Sequence, residues 1–215
     1  MAITTLFIDL DDTLYDKNNG LWDAIHNRMN LYMLDHLGIA PEQVNILRRS
    51  YYENYGTTLR GLQLHYQVNA DEYLAYVHDL PLENYIQPNP ELRDLLQSIP
   101  QPKHVFTNAD SDHAIRVLRI LEIEDCFQAI IDVRAMDYHC KPEEEAYQAA
   151  LDISGVQLAR DCLFIDDSSR NLTKASEIGF TTVLVGMDGA SSGIDYEINS
   201  LLELPKVLPQ LISKP

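Results

Sequence analysis

The chain has 215 residues, 46% of them hydrophobic and 23% charged, a balance that supports one sizeable apolar core with a smaller insert. Its formal net charge of -17 excludes nucleic acid and anionic membrane as electrostatic partners, and any anionic substrate needs a local positive source, either a metal or a particular Lys or Arg. Cys126, Cys140 and Cys162 are scattered and odd in number, and no apolar run approaches the roughly 20 residues of a membrane span. With no basic-then-apolar leader before the first strand, these features point to a cytoplasmic protein.

In chain order, Thr5 to Leu10 is β-branched and apolar enough for a buried strand of a parallel sheet. It runs into Asp9-Leu10-Asp11-Asp12-Thr13. From Asp16 to Gln87 the pattern turns helical and tyrosine-rich. Leu21, Ile25, Met29, Tyr32 and Met33 share one helical face, and Pro41-Glu42 opens a second helix carrying Val44, Leu47, Tyr51 and Tyr55. Gly56-Thr57-Thr58 interrupts it before a short helix through Leu59 and Leu62. Asn69 and Glu72 start a fourth helix with Tyr73, Leu74 and Val77. Pro81, Pro88 and Pro90 lead back to an alternation of strands and helices. Strands are predicted at Lys103–Thr107, Ala129–Val133, Leu163–Ile165 and Thr181–Val185. Helices are predicted at Asp110–Leu121, Pro142–Ile153, Ser169–Ile178 and near Leu201–Leu211. The fold class is therefore α/β: a Rossmann-like doubly wound parallel sheet core with an inserted four-helix cap domain. The core takes residues 1–15 and 88–215 and the cap residues 16–87, because that insert far exceeds the dozen or so residues a crossover needs.

Each strand ends in polar chemistry. Asp9 and Asp11, two apart in extended backbone, point to one side at the sheet's C-terminal edge, where open α/β sheets place ligands. Two such carboxylates imply a hard divalent cation, most economically Mg2+, or else a solvated acidic turn. Thr107-Asn108 before a helix can cradle an anion or simply cap that helix. Lys141, ahead of Pro142 and three glutamates, is a phosphate ligand or a surface charge among acids. Asp166-Asp167 repeats the first motif: a second buried strand ending in paired carboxylates.

The order Asp-x-Asp, Thr, Lys, Asp-Asp, each at a strand end, resembles the four signature motifs of the haloacid dehalogenase superfamily. Leu10-Asp11-Asp12-Thr13-Leu14-Tyr15, Tyr55-Gly56-Thr57-Thr58, Arg60-Gly61-Leu62, Phe106-Thr107-Asn108-Ala109-Asp110, His113-Ala114, Val117-Leu118 and Phe164-Ile165-Asp166-Asp167-Ser168 are similar to its pyrimidine 5'-nucleotidase branch, which has a helical type I cap. The resemblance implies Asp9 as nucleophile and Asp11 as general acid/base, with its pKa above that of an ordinary Asp. It implies Thr13, Thr107, Asn108 and Lys141 around the phosphate. It also implies Mg2+ held by Asp9, the main-chain carbonyl of Asp11 and Asp167, with Asp166 binding directly or through water. Asp12 stands where Gly is common in that superfamily and ranks least among the three acids.

The implied partner is a small phosphate ester, a nucleoside monophosphate, with Tyr55 and Arg60 among the cap residues facing the nucleotide. Trp22, His26, His65 and His78, lacking partners at metal-ligand spacing, are read as core or surface residues. Haloacid dehalogenation is disfavoured, since it needs no proton donor at Asp11. The readings left in competition are a sugar-phosphate phosphatase or phosphomutase of the same superfamily and, from another class, a phosphoacceptor signalling or binding module. The motif spacing and the large insert favour the phosphatase.

Overall fold

A computed structural model describes residues 3–186 and 193–212. Its centre is β1 (Thr5–Ile8), buried at every position. Side chains alternate across it. Leu6 and Ile8 join one apolar cluster with Val105, Leu163, Ile165 and Val183, while Phe7 joins another with Phe106, Phe164, Phe180 and Leu184. Both faces are covered, which is why the strand reads as an unbroken apolar run. On the Phe7 side the rings interlock, Phe106 lying 5.3 Å from Phe164 and 5.5 Å from Tyr147.

Five further strands complete an all-parallel sheet: β2 (Lys103–Phe106), β3 (Ala129–Ile131), β4 (Cys162–Asp166), β5 (Thr181–Val185) and β6 (Tyr196–Ile198). Their order is β3-β2-β1-β4-β5-β6, with Ile8 in register with Val105 on one side and Ile165 on the other. The winding direction reverses between β1 and β4. That is the switch point at which a doubly wound sheet opens a crevice beyond its strand ends. Asp9, directly after β1, and Asp166, the last residue of β4, therefore sit at the ends of the two strands that flank the crevice.

Residues 16–87 after β1 carry four α-helices: α1 (Leu21–Asp35), α2 (Pro41–Tyr55), α3 (Thr58–Tyr66) and α4 (Ala70–Val77). Their starts follow the sequence signals. Pro41 opens α2, the Thr57 hydroxyl accepts from the Arg60 amide, and the Asn69 side chain accepts from the amides of Asp71 and Glu72. The insert shares apolar packing with the core: Leu21 and Ile25 merge with the Leu6 cluster, and Met33, Leu62 and Tyr73 with the Phe7 cluster.

After the insert come α5 (Pro90–Ser98), α6 (Ser111–Ile120), α7 (Glu144–Ser154), α8 (Ser169–Ile178) and α9 (Leu204–Val207). Four details depart from the sequence expectation. The sequence predicts only a proline-rich return at α5, yet Asn89 caps this helix, Pro90 sits at its first turn, and Leu92 and Leu96 are buried. The helix expected from Pro142 starts at Glu144, because Glu143 keeps an extended backbone and acts as N-cap. The terminal helix near Leu201–Leu211 breaks into two 3-10 turns around the single turn of α9, where Pro205 and Pro209 lack amide donors. The edge strand β6 has only three residues and was not anticipated.

Candidate active site

Lys141 is the electrostatic hub of the crevice. It is 1% exposed, and its ammonium donates to Asp9 Oδ1 at 2.6 Å, to Asp166 Oδ2 at 2.8 Å and to the Phe106 carbonyl at 2.7 Å. All three protons are thus satisfied. Burial alone would strip the ammonium of its proton, but Asp166 and Asp9 outweigh it and hold the pKa above the ordinary lysine value. Asn108 fixes the lysine's backbone at two points: its Oδ1 accepts from the Lys141 amide at 2.8 Å and its Nδ2 donates to the Lys141 carbonyl at 3.0 Å. The clamp uses Oδ1 and one of the two Nδ2 protons, and Asn108 lines the crevice. The surface-charge reading of Lys141 does not hold.

Asp9 hydrogen-bonds through its amide to the Ile165 carbonyl at 2.9 Å, which seats it beside the end of β4. Burial raises its pKa well above the ordinary value; Lys141 opposes this, and Asp166 and Asp167 add to it. The carboxylates of Asp9, Asp166 and Asp167 present oxygens within 4.8 Å of one another. One lysine does not balance three acids. The excess appears at Asp167, which burial and the neighbouring Asp166 and Asp12 push up to about 7. An oxygen-only donor set carrying surplus negative charge fits a hard divalent cation. Asp166 is already engaged by Lys141, by the Ser168 amide at 2.8 Å and by Asn171 Nδ2 at 3.1 and 3.2 Å. Asp167 is therefore the freer ligand of the pair.

Asp11 sits in a different environment. Its Oδ1 accepts from the Tyr15 hydroxyl at 2.7 Å and pairs with His113 Nε2 at 2.9 Å. Burial favours protonation of Asp11, but the His113 charge and these hydrogen bonds prevail and hold its pKa below the ordinary value. The expected upward shift is thus reversed, and the reason is His113, supplied by α6 from 102 residues away. The His113 ring stacks on His78 with centroids 4.2 Å apart, and His78 Nδ1 pairs with Asp110 Oδ2 at 2.5 Å. His78 caps the C-terminal end of α4, so a residue of the insert reaches Asp11 through one ring. From sequence alone His78 is a core or surface residue, and Tyr15 and His113 enter only as members of motifs. The separation of Tyr15 from Asp11 by four residues was the one available signal.

Thr107 is 1% exposed and lines the crevice; its Oγ1 accepts from the Ala109 amide at 3.0 Å, leaving the hydroxyl proton for a ligand. Thr13 is buried behind Asp9, with Oγ1 3.5 Å from Asp9 Oδ2, and does not line the crevice. Its hydroxyl faces the Asp9 carboxylate. Asp12 takes the left-handed φ of 61°, the conformation that glycine adopts most freely, and its buried Oδ1 lacks a partner.

The crevice is about 550 Å³ and runs from Asp9, Asp11, Lys141 and Asp167 up to the inner face of the helical insert. Arg48, Tyr52, Thr58 and Tyr73 line that upper face together with Trp22 and His26, which the sequence reading had assigned to core or surface. Tyr55 and Arg60, the expected nucleotide-facing residues, are not part of the lining. The Tyr55 hydroxyl pairs with His65 Nε2 at 2.9 Å within the insert. The loop after α2 comes down onto Lys141. At Gly56 an added Cβ would lie 2.8 Å from the Lys141 carbonyl, Cys140 Sγ donates to the Tyr55 carbonyl at 3.1 Å, and Arg170 donates to the Tyr52 carbonyl at 2.9 Å.

Comparison with known proteins gives a consistent frame. The family model for haloacid dehalogenase-like hydrolases matches residues 3–179. Phosphate metabolism protein 8 of Saccharomyces cerevisiae is 30% identical over 197 residues, which are 85% of this chain and 61% of that protein. The chain thus spans about three-fifths of that relative's length. Among solved structures, the HAD-hydrolase YfnB of Bacillus subtilis, described as bound to magnesium, superposes with a TM-score of 0.66 at 19% identity, covering 97% of this chain and 100% of that one. A HAD phosphatase from Thermococcus onnurineus gives 0.65 at 19% identity, covering 97% and 98%. L-2-haloacid dehalogenase from Xanthobacter autotrophicus gives 0.62 at 15%, covering 96% and 98%. Identities this low speak to the fold.

Proposed function

The chain belongs to the haloacid dehalogenase-like hydrolase family, and within it we propose a Mg2+-dependent phosphatase that hydrolyses a nucleoside 5'-monophosphate or closely similar phosphate monoester through an aspartyl-phosphate. The observation that carries this reading is the pairing of two differently tuned aspartates. Asp9 is held by the buried Lys141 at 2.6 Å, and Asp11, two residues on, is held by His113 and Tyr15. One is set up as a nucleophile and the other as a proton carrier, which phosphoryl transfer requires and halide displacement does not.

Residues 16–87 act as the cap and the two flanking segments as the catalytic core. Asp9, Asp167 and the main-chain carbonyl of Asp11 would hold Mg2+, with Asp166 behind them. When bound, the ion supplies charge neutralisation for the phosphoryl oxygens. Lys141 opposes the rise in the Asp9 pKa that burial and the neighbouring acids cause. The Asp9 carboxylate attacks phosphorus in line with the ester oxygen, the bond to that oxygen breaks, and the alcohol leaves with a proton from the Asp11–His113 hydrogen bond. Sharing the proton across that pair reconciles acid catalysis with the lowered Asp11 pKa. Water then attacks the phosphorus of aspartyl-phosphate, gives its proton back to Asp11, and phosphate departs from a regenerated Asp9. The Thr107 hydroxyl donates to a phosphoryl oxygen, and the insert excludes bulk water above the crevice.

The test is phosphate release from a panel of nucleoside monophosphates and sugar phosphates with Mg2+, repeated after chelation and after Mg2+ is restored. Release that is fastest from a nucleoside monophosphate, stops on chelation and returns with Mg2+ is expected. Turnover indifferent to chelation would refute the metal assignment, and preference for sugar phosphates would refute the substrate class.

A further inference from the structure

Two hydrogen-bond donors on residues of the helical insert are buried without partners among the described residues: Arg48 Nε and the Tyr73 hydroxyl. Tyr73 is 1% exposed, and both residues line the crevice. Buried polar atoms are nearly always paired, so two orphans on one wall call for a ligand that completes them. They occupy one neighbourhood, since the Arg48 charge acts on both Tyr73 and His26. The Arg48 guanidinium comes from α2, the Tyr73 phenol from α4 and the His26 ring from α1. His26 lies against Trp22, with ring centroids 5.3 Å apart. The next residue, Arg49, is bonded to Glu53 at 2.8 Å.

We infer that Arg48 and Tyr73 are specificity-determining residues that donate to an acceptor oxygen at the distal end of the leaving group, borne on a flat ring that lies against Trp22. The chemistry follows from the donors. A guanidinium N–H and a phenol whose burial keeps it protonated both give protons, so the complementary group is a carbonyl or hydroxyl oxygen. The adjoining aromatic surface favours a planar carrier for that oxygen. This inference rests on the phosphatase reading and adds to it the part of the leaving group that the cap reads. An ester lacking the distal acceptor leaves both donors unpaired in the closed crevice, which penalises it relative to one that has it.

The experiment compares kcat/KM for UMP, which carries ring carbonyls, with kcat/KM for ribose 5-phosphate, which has no base, in the presence of Mg2+. Wild type, Tyr73→Phe, Arg48→Met and Arg48→Lys are compared. The ratio of UMP to ribose 5-phosphate is expected to fall roughly tenfold or more in Tyr73→Phe and Arg48→Met, mainly through KM for UMP, with partial recovery in Arg48→Lys. Tyr73→Phe removes one oxygen and keeps the packed ring, so its ratio decides the matter even if Arg48→Met does not fold. An unchanged ratio in an active Tyr73→Phe enzyme overturns the subsite and leaves the phosphatase reading standing. A wild-type protein that releases phosphate from neither ester overturns both.

Discussion

Replacing Lys141 with Met keeps the length of the side chain and removes the only cation that contacts both Asp9 and Asp166 among the described residues. Breaking a buried ion pair from one side costs about 3–5 kcal/mol, because the surviving charge is left desolvated. Here two carboxylates are left, at 8% and 1% exposure, so the upper part of that range applies. For a chain of this size such a loss lowers Tm by roughly 6–20 °C. The sign of the pH dependence is fixed by Asp9. Burial already raises its folded pKa above the unfolded value, and Lys141 is the main influence opposing that rise. A folded state that binds protons more tightly than the unfolded state loses stability as pH rises. Without Lys141 the folded pKa climbs further, at about 1.4 kcal/mol per unit, so the deficit is smallest in acid and grows toward neutrality. Urea unfolding at about pH 5 and about pH 8, with chelator present so that no metal substitutes for the ammonium, measures it. A loss below about 1 kcal/mol, or one equal at both pH values, would refute the view that Lys141 serves mainly to neutralise buried acids.

Three further outcomes are expected. Asp9→Asn should abolish phosphate release while leaving the far-ultraviolet circular dichroism unchanged, and residual turnover above about a thousandth of wild type would count against covalent catalysis. His113→Asn removes the main influence depressing the Asp11 pKa, so the pH profile of kcat/KM should move to higher pH; superposable profiles would show that His113 does not set the charge of Asp11. Gly56→Ala adds a Cβ 2.8 Å from the Lys141 carbonyl at a φ of 84°, and a backbone oxygen cannot swing aside. It should cost at least about 1 kcal/mol, roughly 2–4 °C in Tm, and lower kcat by displacing Lys141, as thermal melts and initial rates would reveal.

Much of this protein follows from its sequence. The apolar stretch Leu6-Phe7-Ile8 could only be a strand covered on both faces. Strand and helix then alternate from Lys103 onward, which leaves a parallel sheet as the consistent solution. Asp9 directly follows β1, Thr107 directly follows β2 and Asp166 closes β4, and strand ends in a doubly wound sheet share one edge. The site's chemical inventory was legible for that reason. Tertiary structure decided what each group touches. The reversal of winding between β1 and β4 brings Asp9, Lys141 and Asp166 into a single charge network. No local pattern reveals that Asn108 clamps the Lys141 backbone, or that His113 turns the Asp11 pKa downward. The same holds for the upper wall of the crevice, which is lined by Trp22, Arg48 and Tyr73 and not by Tyr55 or Arg60. Helical periodicity gives which residues share a face. Which face turns toward the crevice is settled only when four helices and a sheet pack together.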